Sequence, residues 1–552
     1  MTTTSRLHWW LSLALLAVGG CLAAVFLGPE RGLEVQARPA ADENVLRIVY
    51  TQALRPDPHV RLFPMASYNL FILSLWEPLV ECDPATGEPR PAAATSWTWS
   101  HDYCTLTLQL RPDARWSNGD PVKAADFVRA WRRLLRKRID LAYALFPVKN
   151  AEPYFRGKID NPESVGLRAL GDFALQVELE QPRTSFVAEL ADPMLAPLHE
   201  SSEKALAEQR VYRQPSSLVT NGPFRLITMN ADGYRLERDP FYHGRDHVRL
   251  AGLQFMRSTY LATGALMVAA GEADLVPSMS YAPQRAAPTD RRIVVESELT
   301  LGVTANYFNV TRGPLRDVRV RQALALAVDR ENLIEDSDRS RMVPAWSWVP
   351  DMPGRKGLNL FQENAAEARR LLAEAGFPDG QGMPVLRMSL PAWMEGDPYA
   401  VASTERWYRE LGVRTYVTYE PPTVRNKRLG EGDYDMTYGS VVATVPDASD
   451  LLSAFSMPTE YSETKWRDDE TVALLAEANH KTGADRLVLL ERAERRAMAA
   501  VPAVPLMFER RHMLHAVEVQ GWYADPLSRQ SPKRLWLEAT PVTPPEGQPP
   551  GT

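Results

Sequence analysis

A mixed α/β chain of about two or three compact domains is what this sequence predicts, on three observations. Its 552 residues exceed what one hydrophobic core usually serves. Its composition, 45% hydrophobic and 24% charged, is that of a globular protein. Its apolar residues alternate or run together in some stretches and recur at helical spacing in others.

In chain order, residues 9–27 (WWLSLALLAVGGCLAAVFL) carry no charge, follow Arg6, and at ~1.5 Å per residue are long enough to cross about 30 Å of hydrocarbon. With Arg6 on the retained side, the positive-inside rule sends the rest of the chain outward, so an exported, anchored protein is expected. Within the run, Val18-Gly19-Gly20-Cys21 is similar to a lipoprotein processing site with Cys21 as the lipidated residue. Because the apolar run continues past Cys21, a retained anchor is preferred to lipidation, and either to secretory cleavage near residues 35–37. Residues 28–44 lack periodicity and read as a linker, with the fold starting near Val45.

LRIVY (46–50) and TLTLQL (105–110) read as strands. Cys82 and Cys104 either form a disulfide outside the cytoplasm or stay as two buried thiols, since sequence separation alone does not give the Cα spacing a bridge requires. In RWSNGDPVKAADFVRAWRRLLRKR (115–138), Asn118-Gly119 suits a turn and Pro121 presets the entry to a helix. Ala124, Phe127, Val128, Trp131, Leu134 and Leu135 form its core stripe, leaving Arg129, Arg132, Arg133, Arg136 and Lys137 mostly on the wet face. Cations in the last turn complement the helix end. With a net charge of -6, and no second basic cluster with interleaved aromatics, nucleic acid is not an expected partner.

ENAAEARRLLAEAG (363–376) reads as a helix stopped by Gly376, and residues 468–502 as two helices divided at 481–483. The Pro-rich residues 541–552 read as a disordered tail. Trp346 and Trp348 in VPAWSWVP (343–350) either line a ligand cleft or clamp a long loop, and packing is the expected role.

No metalloprotease, P-loop, serine-hydrolase, Cys-x-x-Cys or EF-hand spacing occurs, so no catalytic residue can be named and an enzyme is not expected. The best metal candidates, His243, Asp246 and His247 in FYHGRDH, read as surface residues of a polar loop, and His512 and His515 are weaker still. No metal or cofactor is expected.

Ten short motifs in order then point to a family. They include LRPDPHV (54–60), the segment 74–131 around WSNGDPVKAADFVRAW, TNGPFRL (220–226), LERDPFYHG (236–244), GEADLV (271–276), the segment 307–334, GDYDMTYG (432–439) and PAVPLMFERR (502–511). Over about residues 45–540 the chain resembles the periplasmic oligopeptide-binding proteins, the family 5 extracytoplasmic solute-binding components of ABC importers. The resemblance implies a two-lobed, three-domain fold with a hinge and an interlobe ligand cleft. Its domains would be residues 45–77, 171–301 and 506–540 (lobe I), 78–170 (domain II), and 302–505 (lobe II). The helix at 123–138 is then scaffolding.

The resemblance also implies ligand-binding positions. Tyr143 matches a ligand-stacking tyrosine, Ser278 a polar contact and Gly439 a backbone contact. Where many relatives carry a tryptophan and then, after two small residues, an aspartate that pairs the ligand's amine, this chain has Ser440 and Ala443. An upstream aromatic position corresponds to Pro422. Either Asp447 or Asp450 substitutes for the missing carboxylate, or the ligand lacks that ammonium, as a blocked or cyclic peptide, sugar oligomer, opine-like conjugate or chelated metal would. The expected protein is a monomer that delivers a peptide or similar medium-sized solute to an ABC permease with a separate ATPase. The alternative is an anchored sensory or structural protein on the same fold.

Overall fold

The computed structural model describes residues 44–51, 53–60, 65–137, 140–279, 293–334, 341–459 and 462–538. The expected anchor, Cys21 and the 541–552 tail lie outside these residues. No helix among the described residues is long and apolar enough to cross a membrane.

The apolar strand Val45–Tyr50 lies deep in the main sheet, which explains why five of its six residues are buried. It pairs in parallel with Gly252–Arg257 on one side and with Leu275 on the other. From edge to edge the sheet runs Thr415–Glu420, Leu386–Pro391, Met436–Val442, Gly302–Phe308, Ala503–Ala516, Leu275–Met279, Val45–Tyr50, Gly252–Arg257, Gly233–Arg238 and Phe224–Met229. Ile293–Leu299 and Met342–Pro344 also pair with Ala503–Ala516.

That long strand joins the two lobes. Its first residues, Ala503–Met507, pair with Gly302–Phe308, and its last residues pair with Ile293–Leu299 and Leu275–Met279. The chain therefore crosses between lobes at residues 299–302 and again around residues 508–511, where the buried run of the strand is broken by exposed Glu509 and Arg510. The two crossings are bonded to each other: the Thr300 N–H donates to the Glu509 carbonyl at 2.9 Å. One large apolar cluster runs from Leu46 to Phe255 and takes in Leu275, Val519 and Leu535, and a second runs from Leu301 to Phe508 and takes in Leu527, so each lobe has its own core.

A separate antiparallel sheet, ordered Ala94–Trp99, Thr105–Leu110, Ala174–Glu178, Leu167–Ala169, lies in the first lobe's cluster. It reaches past the residue 170 boundary because Ala174–Glu178 pairs along Thr105–Leu110. Against it stands the helix Ala124–Arg136, preceded by the expected turn, with Gly119 at φ 90°. Phe127, Trp131, Leu134 and Leu135 are fully buried, and the Trp131 indole donates to the Leu195 carbonyl at 2.8 Å.

One expectation for this region needs correction and one alternative is decided. Arg133 is not on the wet face; it is 4% exposed, donates to both Asp57 carboxylate oxygens at 3.3 and 3.0 Å, and makes a short contact with His59 Nδ1. A guanidinium buried this deeply needs a carboxylate partner, and the loop LRPDPHV supplies it. Of the two alternatives for Cys82 and Cys104, the structure has the free thiols, both partly buried. Cys82 pairs with Pro89 in a small hairpin and points its Sγ at the Ala188 carbonyl, whereas Cys104 follows the Ser100–Asp102 turn into a different sheet.

The remaining helices follow their caps. Ala365–Glu374 starts on Asn364, whose side chain accepts from the Glu367 N–H, and ends before Gly376 at φ 93°. Asp469–Ala478 and Gly483–Ala500 form the expected pair. Trp348 is packed as expected, against Tyr307 and Phe455, with its indole bonded to the Leu451 carbonyl.

Candidate functional site

The strand Met436–Val442 sits beside the hinge and has one open edge. It pairs along its whole length with Gly302–Phe308, from Phe308↔Met436 to Gly302↔Val442. On its other side, among the described residues, only Met436 is paired, with Met388, and the Thr437 hydroxyl donates to the Ser389 carbonyl at 2.7 Å before Leu386–Pro391 leads into the short 3₁₀ turn Ala392–Met394. The Ala443 N–H bonds back to the Leu301 carbonyl at 2.7 Å and sets the alternation. Thr437, Gly439 and Val441 turn their backbone groups to the inner partner, while Tyr438, Ser440 and Val442 turn theirs to the open edge. Such an edge presents donors and acceptors to an extended guest.

Side chains around this edge are mixed in character. A Cβ built on Gly439 meets nothing within 4 Å, so space opens there. The Ser440 hydroxyl bonds that of Thr304 at 2.7 Å. Trp393, at the end of the diverging strand, is 72% exposed. Tyr438 is buried, and burial first, then the nearby carboxylates of Asp397 and Glu509, push its phenol well above the usual range. Asp397 is itself spent capping the helix Pro398–Leu411, accepting from the Tyr399 N–H at 2.9 Å.

The expected ligand positions separate into three places. Gly439, Ser440 and Ala443 lie along the open strand and its exit, with Ala443 buried. Ser278 is half-buried across the hinge in Leu275–Met279, where the register against Ala503–Ala516 shifts between Val276 and Met279. Tyr143 is on a 3₁₀ helix, Asp140–Leu145, and Pro422 is the exposed first residue of the helix Pro422–Glu431.

Both acids considered as substitutes for the missing carboxylate are occupied. Asp447 caps the helix Ala448–Leu452 and pairs with the Arg486 guanidinium at 2.9 and 3.0 Å. Burial would raise its carboxyl, but Arg486 and Ser449 hold it below the ordinary value. Asp450 accepts from the Thr444 N–H and hydroxyl at 2.5 and 2.9 Å. Arg486 also reaches Thr184 at 3.3 Å, and Thr184 donates to the Lys481 carbonyl at 2.9 Å, so this group belongs to the contact between lobes. A crevice of about 600 Å³ opens beside it, lined from one lobe by Trp97, Trp99 and Val187 and from the other by Pro446, Leu487 and Leu490.

His243 is also committed: its Nε2 lies 2.7 Å from the buried Glu77 carboxylate, while Asp246 is 95% exposed. His512 Nδ1 bonds the Ser297 hydroxyl and His515 Nδ1 faces the Ala516 carbonyl, so neither completes a cluster with the FYHGRDH residues. Among the described residues no group of three or more His, Cys, Asp or Glu is arranged to hold a metal ion.

Sequence reasoning missed Trp393, for which no motif in the sequence gave a signal, and Tyr438, whose only signal is its place in GDYDMTYG.

Comparison with known proteins fits this geometry. The family model for bacterial extracellular solute-binding proteins, family 5 middle, matches residues 88–463. The dipeptide-binding protein DppE of Bacillus subtilis is 26% identical over 453 residues, covering 80% of this chain and 82% of its own length. The probable deoxycholate-binding periplasmic protein YgiS of Escherichia coli is 29% identical over 457 residues, covering 79% and 83%. Among solved structures, the unliganded open form of the periplasmic murein tripeptide-binding protein MppA aligns with a TM-score of 0.79 at 23% identity, over 90% of this chain and 99% of that one.

Proposed function

The chain belongs to the bacterial extracellular solute-binding proteins of family 5, and from that membership we propose that it captures a peptide or similar medium-sized solute between its lobes, outside the cytoplasmic membrane, and hands it unaltered to an ABC import permease. It is a binding protein, not an enzyme. The observation that carries the reading is the open edge of Met436–Val442 at the hinge. A strand edge binds main chain, which all peptides share, and so gives affinity with little side-chain preference. Residues 9–27 would tether the protein beside its permease, and the boundaries 45–77, 171–301 and 506–540 against 302–505 would mark the moving bodies.

One specific observation favours a second ligand class. Ala443 carries no carboxylate, and a relative described as probably deoxycholate-binding is 29% identical, so a solute without an ammonium is the competing guest. Mass spectrometry of small molecules released on denaturing protein purified from its native envelope tests the proposal. Peptides are expected; an empty protein that also takes up nothing from a peptide mixture would contradict it, and a released sterol or sugar would favour the second class.

A further inference from the structure

We infer that the loop from Tyr523 to Ser531 is a third, non-covalent crossing between the lobes, and that Leu527 and Arg529 at its tip confine the lobes to a single path of closure. The inference rests on the capture reading above and deepens it by naming the residues that guide the motion.

The loop is rooted in the first lobe. Its legs, Val519–Gln520 and Trp536–Leu537, pair with each other, and Val519 and Leu535 belong to the first lobe's core. Between the legs the loop closes on itself: the Ser531 N–H donates to the Tyr523 hydroxyl at 2.9 Å, and the Gln530 side chain donates to the Tyr523 carbonyl at 3.3 Å. Beside the hinge, the Asp525 N–H donates to the Glu298 carboxylate at 2.7 Å, and Arg511 donates to the Asp525 carbonyl at 2.9 Å. Asn69, on the first lobe's helix Met65–Leu75, donates to the Leu527 carbonyl at 3.3 Å.

Its tip belongs to the other lobe. The Leu527 side chain is 4% exposed and packs in the second core. Arg529 is buried, donates to the Thr444 carbonyl of the second lobe, and lies 3.9 Å from Asp192 of the first. A tight turn sends these two side chains across: the Asp525 carboxylate accepts from the Leu527 N–H at 2.8 Å and the Asp525 carbonyl from the Ser528 N–H at 2.8 Å. Ser528 stands at φ 59°, a left-handed conformation that is costly for a serine. Connecting loops usually run over the surface, yet Leu527, Ser528, Arg529, Gln530 and Ser531 are all buried. The covalent crossings at 299–302 and 508–511 are bonded together at Thr300 and Glu509, so by themselves they act near one point and leave the lobes free to bend and to twist. A third attachment, to Thr444 beyond the exit of Met436–Val442, resists the twist. Pro526, with its fixed φ, and the strained Ser528 limit how far that attachment can stretch.

The test measures interlobe distances by double electron–electron resonance in the full chain in detergent, without solute, with spin labels replacing Asp246 and Lys427 and the native cysteines changed to serine. The otherwise unaltered labelled chain is compared with Leu527→Ala, Arg529→Met and Leu372→Ala, the last removing a buried leucine of the second core that lies on the helix Ala365–Glu374. Leu527→Ala and Arg529→Met are expected to broaden the distance distribution roughly twofold, and Leu372→Ala to leave its width unchanged, because only the first two release an attachment between the lobes. An unchanged width in either loop variant, or equal broadening in Leu372→Ala, overturns the inference. Should Leu527→Ala not fold, Arg529→Met, which keeps an apolar stem and removes the guanidinium, carries the comparison alone. No ligand enters this comparison, so its outcome is separate from the capture reading, which fails instead if bound peptide leaves the distribution of the unaltered chain unmoved.

Discussion

Replacing Arg133 by methionine is expected to destabilise the protein by about 3–5 kcal/mol, because it leaves the Asp57 carboxylate buried without its cation. Arg133 is 4% exposed and bridges Asp57, His59 and, at 3.6 Å, Glu203, so it ties the loop 54–60 and the helix starting at Glu200 to the helix Ala124–Arg136. Adding Asp57→Asn to the same variant should restore part of the loss, since the charge left behind is then gone as well. Urea denaturation of the three proteins checks this, and a loss below about 1 kcal/mol for Arg133→Met would contradict the buried-pair account. The same cluster has a pH signature. Burial pushes the His59 imidazole down to about 3 from its ordinary 6.5, Asp57 opposing and Arg133 and Lys137 reinforcing the shift. The unfolded chain takes up a proton there before the folded one does. The contribution of His59 is therefore complete above about pH 6.5 and is lost as pH falls towards 3, by at most ~1.4 kcal/mol per pH unit.

Glu77→Gln should have an effect of similar size, about 3 kcal/mol or more at neutral pH. Glu77 is buried and accepts from the Tyr242 hydroxyl, the Lys533 ammonium at 3.1 Å and His243 at 2.7 Å, joining residues more than 450 positions apart. Burial alone would raise its carboxyl, yet Lys533, His243 and Tyr242 together bring it down to about 2. The sign of the pH dependence follows: its contribution is full above the ordinary value of 4.5 and disappears as pH falls towards 2. The stability gap between wild type and Glu77→Gln should thus be constant above about pH 5 and narrow below it. A gap independent of pH from 7 to 3 would show that packing, not charge, carries the effect.

Elements with a strong local signal were legible in the sequence. The turn at Gly119, the helix Ala124–Arg136 with its core stripe, the helix ending before Gly376 and the split near residue 482 all stand where period and caps put them. Long-range pairing was not. Nothing within the helix distinguishes Arg133 from Arg132, whose partner is the exposed Glu163; the difference lies in a loop 76 residues earlier. Cys82 and Cys104 illustrate the same limit, since only the sheet order shows that they enter separate sheets. For the site, motif order led to Gly439, Ser440 and Ala443, which do lie along one open strand, but Asp447 was judged by spacing alone and its partner, Arg486, is 39 residues away. The hinge itself required knowledge of which strand crosses between the lobes.

Two lobes that close on a solute about the crossings at residues 299–302 and 508–511 must change their separation when it binds. Double electron–electron resonance tests it most directly, with spin labels replacing Asp246 on the first lobe and Lys427 on the second, both well exposed, and the native cysteines changed to serine. Addition of ligand to saturation, verified by mass spectrometry, is predicted to shift the interlobe distance distribution and narrow it to one population. An identical distribution with the ligand demonstrably bound would mean that the lobes do not close on it.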